Sequence, residues 1–176
     1  PVSPTNVYGR TKAEAEQRVL EAYPEALVVR TNFYGWGPSY RPSFSDTILH
    51  ALRSGATINL FHDVSYNPIL CEPLVDTVHE LIEHRAAGIF NVVSDDRISK
   101  HEFGLRLAAH FGLDAAQIKA VSLADQAGLV RRPLDMSLSN QKACDVLGRK
   151  LGGIDEQLQR LLQQEKTGFA REVQAL

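Results

Sequence analysis

Ala26-Leu27-Val28-Val29-Arg30-Thr31 is a short apolar run rich in β-branched side chains, and such a run reads as a strand buried in a parallel sheet. The stretch before it reads as a helix. Thr5 or Asn6 can cap that helix, and no breaker interrupts it before Pro24. The stretch after the run, Asn32-Phe33-Tyr34-Gly35-Trp36-Gly37-Pro38, mixes aromatics with breakers and reads as a loop. Beyond it, Ser43 or Ser45 can cap a helix that keeps Phe44, Ile48, Leu49 and Leu52 in period until Gly55. Thr57 to Phe61 reads as a strand, His62 to Ser65 as a turn, and Asn67 to Cys71 as a second short strand.

Pro73 then stands near the start of a helix, where its missing N–H costs little. Leu74, Val75, Val78, Leu81 and Ile82 form the expected inner face. Gly88 to Val93 repeats the buried-strand pattern and is followed by a turn at Asp95-Asp96. Ser99 with Glu102 makes a capping box for a helix running to Phe111. A strand is expected around Ala120 to Leu123, a short helix from Ser139 to Leu147, and a last amphipathic helix at Ile154, Leu158, Leu161 and Leu162. No repeat, low-complexity tract or linker interrupts the chain. Short strands alternating with helices define an α/β class.

The helix before the first strand carries Tyr8-Gly9-Arg10-Thr11-Lys12. A Tyr and a Lys at this spacing stand one turn apart on the same face. A phenol with a pKa near ~10 is a poor proton donor at neutral pH, and an ammonium group beside it favours the phenolate and brings that value down. The pair can pass a proton to or from a carbinol oxygen. The plainer alternative is one aromatic packed inward and one solvated lysine.

Composition sets the outer bounds. With 176 residues, 44% hydrophobic and 23% charged, the chain reads as one compact globular unit. A net charge of −2 gives no electrostatic reason to expect nucleic acid or an anionic membrane. No apolar run approaches the ~20 residues needed to span a bilayer. Pro-Val-Ser-Pro at the start has no basic region followed by an apolar one, so no signal peptide is expected, and the missing initiator Met fits a cut or processed chain. Cys71 and Cys144 lie far apart and read as small core residues in a reducing cytoplasm. No His or Cys spacing supports a metal site. Glu14 and Glu16 read as a solvated helix face.

The blocks PTNVYGRTKAEAE, LVVRTNFYG, GIFNVVSDDRISKHEF and RRPLDMSLSNQKACDVLG resemble, in order and spacing, the extended short-chain dehydrogenase/reductases that act on nucleotide-sugars. The resemblance is greatest to the dTDP-4-dehydrorhamnose reductase and sugar-nucleotide epimerase branch, and it covers the chain to about Leu162. It implies the C-terminal part of a Rossmann-type parallel sheet plus a small α/β substrate-binding lobe. Residues 1–35 and 88–111 would supply sheet elements, residues 36–87 and 112–165 the lobe, and residues 166–176 a tail. Only seven residues precede Tyr8, so the family's Gly-rich cofactor turn and its catalytic Ser or Thr have no place here. The chain is therefore expected to be inactive alone.

The resemblance further implies NAD or NADP as cofactor, a nucleotide-sugar with a 4-keto-6-deoxy sugar as substrate, a cytoplasmic enzyme and a homodimer through the Tyr8 helix. Tyr8 would give the proton, and Lys12 would tune it and hold the nicotinamide ribose. Thr31 and Asn32 would touch the cofactor, since ligands bind at the carboxyl ends of parallel strands. Asn32, Phe33 and Arg132 would touch the substrate. Phe33 stands where the reductases usually have Trp and the epimerases Asn, whereas Asn32 here falls one place earlier. Core packing is the alternative for Phe33. For Arg131-Arg132-Pro133, which could grip a diphosphate, the alternative is a surface pair beside a proline turn. Trp36 to Tyr40 could line a pocket or simply pack. An epimerase, or a regulatory subunit that keeps the fold without catalysis, are the rival functions.

Overall fold

The computed structural model describes residues 4–126 and 133–176. Helix α1, Val7–Ala22, starts at Asn6, whose Oδ1 accepts the Gly9 N–H at 2.8 Å and so satisfies one of the donors a first turn leaves orphaned. Strand β1 is Leu27–Arg30. The following segment is not wholly loop, because Phe33–Tyr34 forms β2. Helix α2, Phe44–Arg53, opens with a complete capping box between Ser43 and Asp46. The Asp46 Oδ2 also accepts the Gly37 N–H at 2.8 Å. A side chain at Gly37 would put its Cβ 2.6 Å from the Arg41 carbonyl oxygen, so the loop closes here only on glycine.

Strands β3 (Ile58–Phe61), β4 (Ser65–Tyr66) and β5 (Ile69–Leu70) lead into α3, Cys71–Glu83. The strand expected over Asn67 to Cys71 is thus shorter, and Cys71 is already helical. Next come β6 (Gly88–Asn91), β7 (Ile98–Ser99) and α4 (Lys100–His110). A 3-10 turn at Ala115–Gln117 leads into β8 (Ile118–Val121), which starts two residues before its expected place. Helices α5 (Gln141–Leu147), α6 (Ile154–Lys166) and α7 (Phe169–Gln174) finish the chain.

The strands associate in pairs: β1 with β6, β2 with β5 and β3 with β8 in parallel, and β4 with β7 antiparallel. The fold is α/β with parallel pairing, as the alternation of elements predicts. In the first pair Val28 stands opposite Ile89 and Arg30 opposite Asn91. Alternation along the strands sends Leu27, Val29 and Phe90 into a core cluster with Ile69, Leu81 and Leu151. The other face, with Val28, Arg30, Ile89 and Asn91, lies on the α1 side. A second, larger cluster joins Tyr34, Ile48, Leu60, Phe103, Leu107, Ile118 and Leu158. Helix α4 belongs to it through Phe103 and Leu107.

Helix α3 corrects the expected inner face. Its buried residues are Pro73, Thr77 and Leu81, one stripe at four-residue spacing, while Val75 is 52% and Ile82 57% exposed. The Asp95-Asp96 turn does more than reverse the chain. Asp95 Oδ2 accepts the Gly152 N–H at 3.0 Å, and Asp96 Oδ2 accepts the N–H of Ile154, the first residue of α6, at 2.7 Å. The formal N-cap there, Gly153, has no side chain to offer. Gln157, buried on the next turn of α6, accepts the Leu70 N–H through Oε1 at 2.8 Å. Asp96 thus caps a helix that begins far along the chain. Asp96→Ala should lower unfolding stability by about 1 kcal/mol, whereas Val75→Ala should stay within about 0.5 kcal/mol; urea denaturation of both variants reads the contrast.

Candidate active site

Tyr8 and Lys12 lie one turn apart on α1, with the Lys12 Nζ 5.5 Å from the centre of the Tyr8 ring. Their spacing on an uninterrupted, capped helix makes this pairing a local property of the sequence. Tyr8 is 71% exposed, and no residue of α1 is buried. Two other tyrosines behave in the opposite way. Burial drives the phenols of Tyr34 and Tyr66 well above their ordinary range, and neither hydroxyl has a partner. Such phenols cannot exchange a proton with a ligand, so among these three Tyr8 is the accessible one.

Thr31, Asn32 and Phe33 continue from the carboxyl end of β1. The backbone here is fixed: the Arg30 carbonyl accepts the Val92 N–H at 2.9 Å, and the Asn32 carbonyl accepts the Ile69 N–H at 2.8 Å. The Thr31 hydroxyl is buried without a hydrogen-bond partner, and so is the Asn91 Oδ1 at the end of the adjacent β6. Unpaired buried polar atoms are costly and uncommon, so the Thr31 hydroxyl is free to bond an added group, while the Asn91 amide nitrogen donates to the Ser139 carbonyl oxygen at 2.8 Å. Phe33 is 64% exposed, which rules out the core-packing alternative. Asn91 escaped sequence analysis because nothing local distinguishes it from any strand residue; only its register opposite Arg30 brings it here.

No hydrogen bond or ring contact among the described residues joins Tyr8 or Lys12 to Thr31, Asn32 or Phe33. The connection runs through a pair that the sequence reading missed. Arg30 donates through Nε to Glu16 Oε1 at 2.8 Å and through Nη2 to Glu16 Oε2 at 2.5 Å, a fork in which both groups are partly shielded. The hydrogen bond from Glu16 holds the Arg30 guanidinium pKa above its ordinary value, against the opposing effect of burial. Glu16 is therefore no solvated residue. Arg131 and Arg132 lie outside the described residues. Among the described residues, no group of three or more His, Cys, Asp or Glu side chains is placed to hold a metal, and no helix is long and apolar enough to cross a membrane.

Two cavities bear on the site. One, of about 350 Å³, lies between α1 and the strands and is lined by Arg10, Ala13, Glu16, Leu20, Arg30 and Ile89. A larger one, of about 590 Å³, lies among Trp36, Cys71, Glu72 and Phe169 and takes no lining residue from α1 or from Thr31 to Phe33. Trp36 also packs edge-on against Phe111 at 6.2 Å, while Tyr40 is exposed. Burial pushes the Cys71 thiol up, which makes it a weak nucleophile.

A helix with an accessible Tyr-Lys pair is tied here to the carboxyl end of a parallel strand, where open α/β sheets bind their ligands. Residues 1–167 match the RmlD substrate binding domain, and the chain belongs to that family. A probable low-salt glycan biosynthesis reductase of Haloferax volcanii is 30% identical over 134 residues, 74% of this chain and 45% of that protein. A dTDP-4-keto-6-deoxy-D-glucose reductase of Streptomyces niveus is 27% identical, again over 74% of this chain and 45% of its own length. The chain thus spans about half the length of the curated relatives it matches. Among solved structures, the dTDP-4-dehydrorhamnose reductase of Bacillus anthracis, in complex with NADP, superposes with a TM-score of 0.82 at 22% identity over 92% of this chain and 57% of that one. That likeness shows the fold, α/β and Rossmann-like.

Thr31→Val keeps the shape of the side chain and removes the unpaired hydroxyl. Without ligand it should leave stability unchanged or raise it by up to about 1 kcal/mol, as read by urea denaturation; a clear loss of stability would mean that the hydroxyl is satisfied within the fold.

Proposed function

We propose that this chain is the carboxyl-terminal part of an NAD(P)-dependent reductase acting on a nucleotide-linked 4-keto-6-deoxy sugar. The observation that carries the reading is the Tyr8-Lys12 pair on α1, tied by Glu16 to the strand that delivers Thr31 and Asn32. Relatives named as reductases of such substrates favour reduction over epimerisation and over a non-catalytic subunit. Neighbours in complex with NADP or NADPH, and dehydratase neighbours with NAD, support a nicotinamide cofactor. When bound, that cofactor supplies the hydride. This chain supplies what the hydride needs around it.

In this reading Tyr8 donates its phenolic proton to the carbonyl oxygen of the sugar as the carbon is reduced, and Lys12 makes the phenol a better acid. Lys12 also donates to the nicotinamide ribose. The unpaired Thr31 hydroxyl and the Asn32 side chain meet the cofactor, and Asn32, the exposed Phe33 and Arg132 meet the sugar nucleotide. The β1–β6 pair and α1 would complete a nucleotide-binding sheet, whereas Phe103 and Leu107, from the 88–111 stretch expected to join that sheet, pack with Ile48, Leu60 and Ile118 in what would be the core of the substrate lobe. A donor as exposed as Tyr8 needs further protein over it to exclude water, so the chain alone should turn nothing over. Free Cys71 and Cys144 suit a reducing cytoplasm. Val19, exposed on α1, and Tyr23, exposed at its C-cap, suit a homodimer contact along that helix.

The test is NAD(P)H oxidation by the full-length parent with dTDP-4-keto-6-deoxyglucose. Tyr8→Phe should cut kcat by about a hundredfold or more with little change in KM. Equal rates in parent and variant would remove Tyr8 from the mechanism.

A further inference from the structure

We infer that Arg30 is a positioning residue that keeps the Glu16 carboxylate away from Lys12, leaving Lys12 to act on Tyr8. This rests on Tyr8 being the proton donor. Lys12 and Glu16 are four residues apart on one helix, the spacing at which an ammonium and a carboxylate face each other. Left to itself, Glu16 would neutralise the ammonium that Tyr8 depends on. Instead both of its oxygens are taken by the Arg30 fork, at 2.8 and 2.5 Å. A planar guanidinium suits this two-point grip and a lysine ammonium does not.

The surroundings leave few competitors. The groove between α1 and the strands contains Arg10, Glu14 and Glu16 from the helix and Arg30 from β1, while β6 contributes uncharged Ile89. Glu14 is two residues from Lys12 and so points to another side of the helix. Arg30 is itself rigid, because its backbone is held in the β1–β6 ladder. The fork is also the one side-chain hydrogen-bonded link between α1 and the strands among the described residues.

This role makes a prediction that loss of packing alone would not. Three variants of the full-length parent are compared: Arg30→Met, Glu16→Gln and the two combined. Arg30→Met should lower kcat by about tenfold or more and leave KM within about twofold. The alkaline limb of its pH–rate profile should move up by about half a unit, because the freed carboxylate then offsets the Lys12 charge. Glu16→Gln should stay close to the parent. The double variant should regain most of the lost kcat and the original alkaline limb, because the freed carboxylate is gone. A double variant as slow as Arg30→Met, or an Arg30→Met enzyme with an unmoved profile, would overturn the inference. Should Arg30→Met fail to fold, as judged by its urea midpoint, Arg30→Lys replaces it, with an intermediate loss of kcat expected. Tyr8→Phe separates the two failures: if it stays active the proton-donor reading falls, and if it is inactive while Arg30→Met is unaffected only the role of Arg30 falls.

Discussion

The parallel pairing of β1 with β6 is the constraint on which the rest of the structure depends. Two strands running the same way cannot be joined by a hairpin, so the chain must leave the end of β1, travel round, and return to the start of β6. Everything from Thr31 to Ala87 is that detour. It builds β2, α2, β3, β4, β5 and α3, and it brings Ile48, Leu49 and Leu60 to the core cluster around Phe103. The same topology places the carboxyl ends of both strands on one edge, with Arg30, Thr31 and Asn91 beside one another. The site is thus a consequence of strand direction, and its side chains come from segments far apart in sequence.

The features legible in the sequence were the local ones. Asn6 and Ser43 cap helices through bonds spanning three residues, and a window of that width suffices to recognise them. The β-branched run at Val28 and the similar run at Ile89 announced their strands for the same reason. The Tyr8-Lys12 pair was legible because helical spacing alone brings the two together.

What escaped depends on distant partners. Val75 and Ile82 look like core residues by type, yet the elements packed on α3 select the stripe of Pro73, Thr77 and Leu81 instead. Strand β2 is two residues long and exists because β5 lies beside it. Glu16 looked solvated because its partner, Arg30, lies across a turn on another element. Asp96 looked like a turn residue, and its second role appears only once α6 arrives. His110, without a partner in any nearby spacing, finds Asp155 at 3.1 Å on α6. In each case the local pattern was correct about polarity or conformation and silent about the neighbour that fixes the role.

The site follows the same division. One half, the Tyr8-Lys12 pair proposed as acid and ammonium, is written within five residues of one helix. The other half, the unpaired hydroxyl of Thr31 and the carboxamide oxygen of Asn91, is assembled by the sheet. The Arg30–Glu16 fork joins the halves, and as a partly exposed ion pair it contributes little to stability; its value lies in where it holds the Glu16 carboxylate. The most direct test of this account is a crystal structure of the full-length parent with reduced cofactor and a nucleotide-sugar. The account predicts the Tyr8 hydroxyl within hydrogen-bond reach, about 3 Å, of the oxygen on the reacting sugar carbon, with the fork intact. A Tyr8 hydroxyl turned to solvent, with another protein group on that oxygen, would contradict it.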